Sequence, residues 1–117
     1  MPEPPQPLPE IDPERFFGVD IRSAVVVAAE PFPQARKPAL KLRLDLGGLG
    51  ERTSSAQITT YDPAELVGST VLCVVNFPPR RIAGFSSQVL VLGVYDDDGS
   101  VILLRPDRPV GPGRRVG

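Results

Sequence analysis

Histidine is absent from the 117 residues. Its absence removes the commonest general base, the usual partner of a serine or cysteine nucleophile, and the commonest transition-metal ligand. Hydrolase and zinc-site chemistries thus lose their standard residues, and an enzyme would have to work with carboxylate, lysine, tyrosine or serine groups. The expectation is a non-catalytic protein that needs no metal and no cofactor. Cysteine is nearly absent as well. Cys73 has no second thiol to pair with, which agrees with a reducing compartment. Its neighbours in Val71-Leu72-Cys73-Val74-Val75 predict an inert, buried thiol.

Apolar runs extend over only a few residues, far short of the roughly 20 needed to cross a bilayer. No charged segment followed by an apolar one opens the chain, so a cytoplasmic protein without membrane insertion is expected. A strong excess of one charge is also lacking. The net charge of -1 argues against tight nonspecific binding to DNA. The acids are unevenly placed, however: Glu3, Glu10, Asp12 and Glu14 face Arg15 alone in residues 1–19, leaving 12 basic against 10 acidic residues in the remainder. Mild basicity there allows phosphate contacts without demanding them. Eleven of the thirteen basic residues are arginine, which suits bidentate contact with phosphate or carboxylate and stacking on bases. A general compositional bias towards arginine explains the same count.

Proline is plentiful, and six of the fifteen lie in residues 1–13. With so little apolar content this segment is expected to stay extended or disordered, leaving residues 14–117 as one folded domain with a C-terminal arm. A domain of this size buries about two thirds of its unfolded surface, a modest core that a partner subunit would extend. Asp12 and Pro13 can cap and begin a single helical turn, with Phe16 or Phe17 packing inward and Gly18 ending it.

Beyond that turn the pattern is of short strands. Residues 21–30 are rich in β-branched side chains and are closed by Pro31-Phe32-Pro33. Leu40, Leu42, Leu44 and Leu46 alternate with Lys41, Arg43 and Asp45, a period of two that marks a half-buried second strand. Gly47-Gly48-Leu49-Gly50 turns the chain and lacks the Lys-Ser/Thr of a phosphate loop. A polar third strand is expected over 53–59. Asp62-Pro63-Ala64-Glu65 then forms a capped helix start that Gly68 stops. Strands follow over 70–76, 88–95 and 100–105, the last two joined by an Asp96-Asp97-Asp98-Gly99 hairpin turn. A calcium loop would need a downstream bidentate glutamate, which is missing. Residues 71–75 and 101–104 are apolar on both faces, so both faces need cover and a homodimer is expected. The last segment, 106–117, is again rich in Pro, Gly and Arg and reads as a tail or as an arm packed on a partner.

Three strands, a short helix, then further strands is the order of an all-β, five-stranded OB-fold, a Greek-key barrel that binds oligonucleotides across its second and third strands. An SH3-like barrel or an open sandwich leaves the position of the helix unexplained. Between the fourth and fifth strands lies a stiff, polar loop holding Asn76, Phe77, Pro78, Pro79, Arg80, Arg81, Gly84, Phe85, Ser86, Ser87 and Gln88. Prolines, a turn glycine and clustered donors point to binding first and catalysis second. Phe32, Phe77 and Phe85 fall in or beside loops, where a ring can stack on a base or line an apolar pocket. Ser54, Ser55 and Gln57 resemble Ser86 and Ser87 in offering donors either to a cleft or merely to solvent. Arg22, beside Asp20, reads mainly as half of a structural ion pair.

Several of these segments together resemble the tRNA-binding domain family: Asp20-Ile21-Arg22, Glu30-Pro31-Phe32-Pro33-Gln34-Ala35-Arg36-Lys37, Ser54-Ser55-Ala56-Gln57-Ile58, Asp62-Pro63-Ala64-Glu65-Leu66-Val67-Gly68, and Asn76-Phe77-Pro78-Pro79-Arg80. The likeness spans about residues 17–116. Within the family, Arg36-Lys37-Pro38 and Asn76-Phe77-Pro78-Pro79 are most similar to the stand-alone, export-related chaperones of the CsaA type. The resemblance implies an OB-fold homodimer with a cleft in each subunit. Members linked to methionyl- and phenylalanyl-tRNA synthetases grasp tRNA by its shape, and CsaA-type members hold unfolded or preprotein segments without ATP. By motif the cleft would comprise Arg36, Lys37, Ser54, Ser55, Gln57, Asn76, Arg80, Ser86 and Ser87, and Phe32, Phe77, Pro78 and Phe85 would meet bases or apolar side chains. The family's Ser-Gln-Gly-Met run stands here as Ser87-Gln88-Val89-Leu90, which shifts the expectation from tRNA towards peptide. A tRNA-binding cofactor serving a synthetase in trans is the alternative.

Overall fold

The computed structural model of the chain describes residues 5–117. The expectation of an extended start lies outside the described residues for positions 1–4. Residues 5–12 carry no helix or strand and are exposed. The first element is α1, Pro13–Phe17, whose N-cap Asp12 accepts from the Glu14 amide at 3.1 Å. Phe16 and Phe17 do not pack inward as expected. They remain 42% and 55% exposed, edge to face with each other at 5.4 Å. A five-residue helix followed at once by Gly18 is too short to carry either ring to the core.

The body is a nearly closed, five-stranded all-β barrel built on β1 (Ile21–Pro31), β2 (Leu40–Asp45), β3 (Glu51–Ala56), β4 (Thr70–Val74) and β7 (Leu90–Val91), in the order β3-β2-β1-β4-β7. β1 is long because it serves two partners. Its first half pairs antiparallel with β4, from Ile21↔Val74 to Val25↔Thr70, and its second with β2, from Val25↔Asp45 to Pro31↔Leu40. A bulge between Val26 and Ala28 bends the strand where it changes partner. The alternating leucines of β2 point inward as the period predicts: Leu42, Leu44 and Leu46 are all but fully buried. Each such burial stabilises the fold by about 2 kcal/mol. With Ala24, Val26, Ile58, Leu66, Val71, Cys73, Val89 and Leu103 they form the core.

The short helix α2, Pro63–Leu66, falls between β3 and β4, as the sequence predicts. Asp62 caps it by accepting from the Ala64 amide at 3.0 Å, and Leu66 fills the end of the barrel. The third strand is shorter than expected. It stops at Ala56, whose carbonyl accepts from the Ile58 amide in a tight turn, although the alternation survives and Ile58 is still buried. The expected fifth strand is also interrupted. At Leu92 the chain changes partner, donating to the Leu72 carbonyl and accepting from the Leu104 amide, so that β7 gives way to the hairpin of β8 (Gly93–Tyr95) and β9 (Val101–Leu103). The hairpin closes through the Asp96 to Gly99 turn. Residues 76–88 are more ordered than a loop: β5 (Arg80–Ile82) and β6 (Phe85–Ser87) form a second hairpin. Ala83 and Gly84 both have positive φ, 48° and 81°, the geometry of a tight two-residue hairpin turn.

The C-terminal segment is neither a tail nor an arm on a partner. It returns along the half of β1 that β2 leaves unpaired: Ser23 donates to the Arg114 carbonyl, Gly113 to the Ser23 carbonyl and Val116 to the Ile21 carbonyl, at 2.7–2.9 Å. The Ser23 hydroxyl adds a bond to the Gly111 carbonyl. Within residues 71–75, Val71, Cys73 and Val74 are buried by the chain's own core, and Leu72 and Val75 are partly buried. On the β8–β9 hairpin and just beyond it, Val94, Ile102 and Leu104 remain exposed.

Candidate binding cleft

β3 and β7 are the two ends of the five-stranded sheet, and the barrel closes beside them largely through side chains, with main-chain bonds only from the Gln88 and Val89 amides to the Thr53 carbonyl among the described residues. Gln88 Oε1 accepts from the Thr53 amide at 3.0 Å and Ser87 Oγ from the Ser55 amide at 3.0 Å. The Thr53 hydroxyl donates to the Ser86 carbonyl, and the Ser54 hydroxyl to the Val89 carbonyl. Past Ser55 the two edges diverge and leave a cavity of about 570 Å³. Ala56, Ile58, Val91 and Leu103 supply apolar lining; Ser55 and Gln57 are polar; Arg36, Lys37 and Arg80 are the cations, and among the described residues no carboxylate lines the cavity. Such a site attracts anionic or carbonyl-rich groups to its rim and apolar groups to its interior.

Beside it, Pro31, Phe32, Ala35, Arg36 and Ala39 line a smaller hollow of about 300 Å³. Phe32 is buried there and meets Phe85 of β6 edge to face at 5.5 Å. The Lys41 ammonium lies 4.7 Å from the Phe32 ring centre and 5.2 Å from that of Phe85, a cation held against two ring faces. This cluster fastens the β5–β6 hairpin to the outer face of the barrel.

Of the residues picked out in the sequence, the cavity brings together Arg36, Lys37, Ser55, Gln57 and Arg80. Phe32 and Phe85 meet each other beside it, and Ser86 and Ser87 lie along its closed end as part of the β3 seam. Ser54 is different: it is buried with its hydroxyl committed to Val89. Asn76 clamps the N-terminal turn, donating to the Gly18 carbonyl at 2.8 Å and accepting from the Asp20 amide at 2.9 Å. Phe77 and Pro78 are exposed and line neither hollow. Arg22 makes the expected pair with Asp20, at 2.6 Å, and also reaches the Gly113 carbonyl. Those bonds hold the Asp20 carboxyl below its ordinary range against an opposing burial effect, and raise Arg22. Burial pushes the Cys73 thiol up to about 12, so it is no nucleophile at neutral pH. The apolar lining, Val91, Leu92, Val101 and Leu103, was legible only as strand core, because a period of two marks burial and not concavity.

A small β-barrel whose open seam is walled by cations and apolar groups belongs to the class of OB-fold binding modules. The family model described as "Putative tRNA binding domain" matches residues 21–115, and the chain belongs to that family. Two solved structures are similar over their whole length: chaperone CsaA from Bacillus anthracis, 44% identical with a TM-score of 0.89 over 93% of this chain, and CsaA chaperone protein from Picrophilus torridus, 43% identical with a TM-score of 0.88 over 92% of it. Among curated proteins, a methionine–tRNA ligase from Porphyromonas gingivalis is 40% identical over 104 residues, which are 88% of this chain and 15% of that ligase. The chain thus corresponds to about one seventh of the curated relatives it matches.

Proposed function

We propose that this protein is an ATP-independent chaperone of CsaA type that holds exposed segments of unfolded polypeptides on their way to export, and that it keeps the family's capacity for tRNA. The observation that carries this reading is the cavity at the β3–β7 seam, apolar inside and cationic around Arg36, Lys37 and Arg80. Phosphates or peptide carbonyls suit the cations, and bases or apolar side chains suit the interior. Ser55 and Gln57 offer polar contacts along it, Ser86 and Ser87 close its end, Phe32 and Phe85 form a rigid aromatic cluster beside it, and Phe77 and Pro78, exposed outside it, meet the parts of a ligand that extend beyond the cavity; Ser54 and Asn76 support the site by holding its frame. The protein acts in the cytoplasm as a homodimer that is not an enzyme. Residues 1–13 are a proline-rich extension of the folded unit formed by 14–117. Among the described residues no helix is long and apolar enough to cross a membrane.

The methionine–tRNA ligase relatives favour a second reading, a tRNA-binding cofactor that serves a synthetase in trans. Titration of labelled bulk tRNA and a labelled unfolded preprotein at low and near-physiological salt separates the two. Phosphate contacts lose affinity steeply with salt, whereas apolar capture does not. Preprotein binding that resists salt, with tRNA lost at physiological salt, is the expected outcome. Tight tRNA binding at both salts without a preprotein signal establishes the cofactor.

A further inference from the structure

The outer edge of β3 is used unevenly. In an antiparallel sheet every second residue of an edge strand aims its N–H and C=O outward, and on β3 these are Thr53 and Ser55. The Thr53 amide is satisfied by Gln88 and its carbonyl by the Gln88 and Val89 amides; the Ser55 amide is satisfied by Ser87. There the closure stops. Among the described residues no hydrogen bond outside the strand ladders reaches the Ser55 carbonyl, which lies on this edge, or the amide of Gln57, the central residue of the turn that ends β3, and both residues line the 570 Å³ cavity. A backbone acceptor and donor two residues apart, beside an apolar hollow, form the docking edge for one more strand.

Resting on the reading that the cleft takes unfolded polypeptide, we infer that it does so by strand addition: an extended segment enters the open seam and pairs its main chain with the Ser55 carbonyl and the Gln57 amide. Alternate side chains of the guest then face Ile58, Val91 and Leu103, and the others face solvent and the Arg80 side. The pairing explains how a small cleft serves clients of unrelated sequence, since the main chain is common to all of them. It also favours polypeptide over RNA, because a main chain repeats a donor and an acceptor at strand spacing, which a ribose-phosphate backbone does not.

The test uses the full chain and the tightest-binding ten-residue segment of an unfolded preprotein, fluorescein-labelled and followed by polarisation. Two further versions carry N-methyl groups at all odd or all even positions, which delete alternate main-chain donors without altering side chains. One version is expected to bind at least about tenfold more weakly than the parent and the other within about threefold, since only one register faces the β3 edge. Gln57→Pro, which removes both the side chain and the edge amide, is expected to bind the parent about tenfold more weakly than Gln57→Ala, which removes the side chain and keeps the amide, with both variants retaining the native circular dichroism. Equal binding of both methylated versions, or equal loss in both, overturns strand addition while leaving the chaperone reading intact. Binding of labelled tRNA with no uptake of the parent peptide overturns both.

Discussion

Cys73 illustrates how much a single side chain's surroundings decide. It sits in β4 with no exposed surface, and desolvation alone raises its pKa from 9.0 to about 12. For an acid whose folded pKa lies above its unfolded value, the stabilisation is present below the unfolded pKa and is lost as pH rises through the folded one. Stability should therefore fall between about pH 9 and 12 more steeply in the natural protein than in Cys73→Ala. At neutral pH the same substitution should cost about 1 kcal/mol through lost packing. Urea titrations across that range check both parts. A thiol reagent at pH 8 should modify Cys73 only after denaturation. The inertness was legible from the apolar neighbours in the sequence; the roles of Ser54 and Asn76 were not, because a buried hydroxyl and a clamping amide have the same local signature as residues that line a cleft.

Among the elements, the C-terminal arm carries the clearest consequence. Gly113 has φ +80°, and a Cβ added there would lie 2.6 Å from the Leu46 carbonyl oxygen. The arm passes close enough to the end of β2 that only glycine fits. Gly113→Ala is expected to destabilise the protein by about 1–3 kcal/mol, read from urea unfolding. Hydrogen exchange should localise the damage: the Ser23 amide, which donates to Arg114, loses protection while the amides joining β2 and β3 keep theirs. Element types were readable from periodicity and caps, as with the leucines of β2 or the Asp62 cap of α2. The end of β3, the break at Leu92 and the path of the arm were not, since each is set by a partner remote in sequence.

For the whole molecule, the open question is what covers Val94, Ile102 and Leu104. Val94 and Ile102 are paired across the β8–β9 hairpin, and Leu104 continues the same face, with the three 51%, 40% and 36% exposed. A contiguous apolar face of this kind favours association. Sedimentation at micromolar concentration is expected to give a dimer, and Ile102→Glu a folded monomer through burial of an unpaired charge. A natural protein that sediments as a monomer removes the dimer, and a dimer unaffected by Ile102→Glu places its interface elsewhere.

The order of the first four barrel strands, the position of the short helix, the buried leucines and the family were determined by the sequence alone, because periodicity, capping and motif wording are local properties. The tertiary structure alone decided that the polar residues of the Ser86 to Gln88 segment close the barrel on β3, that Phe32, Phe85 and Lys41 fasten the hairpin, and that a cavity opens past Ser55. These depend on where two distant edges stop meeting, and no local pattern records that distance.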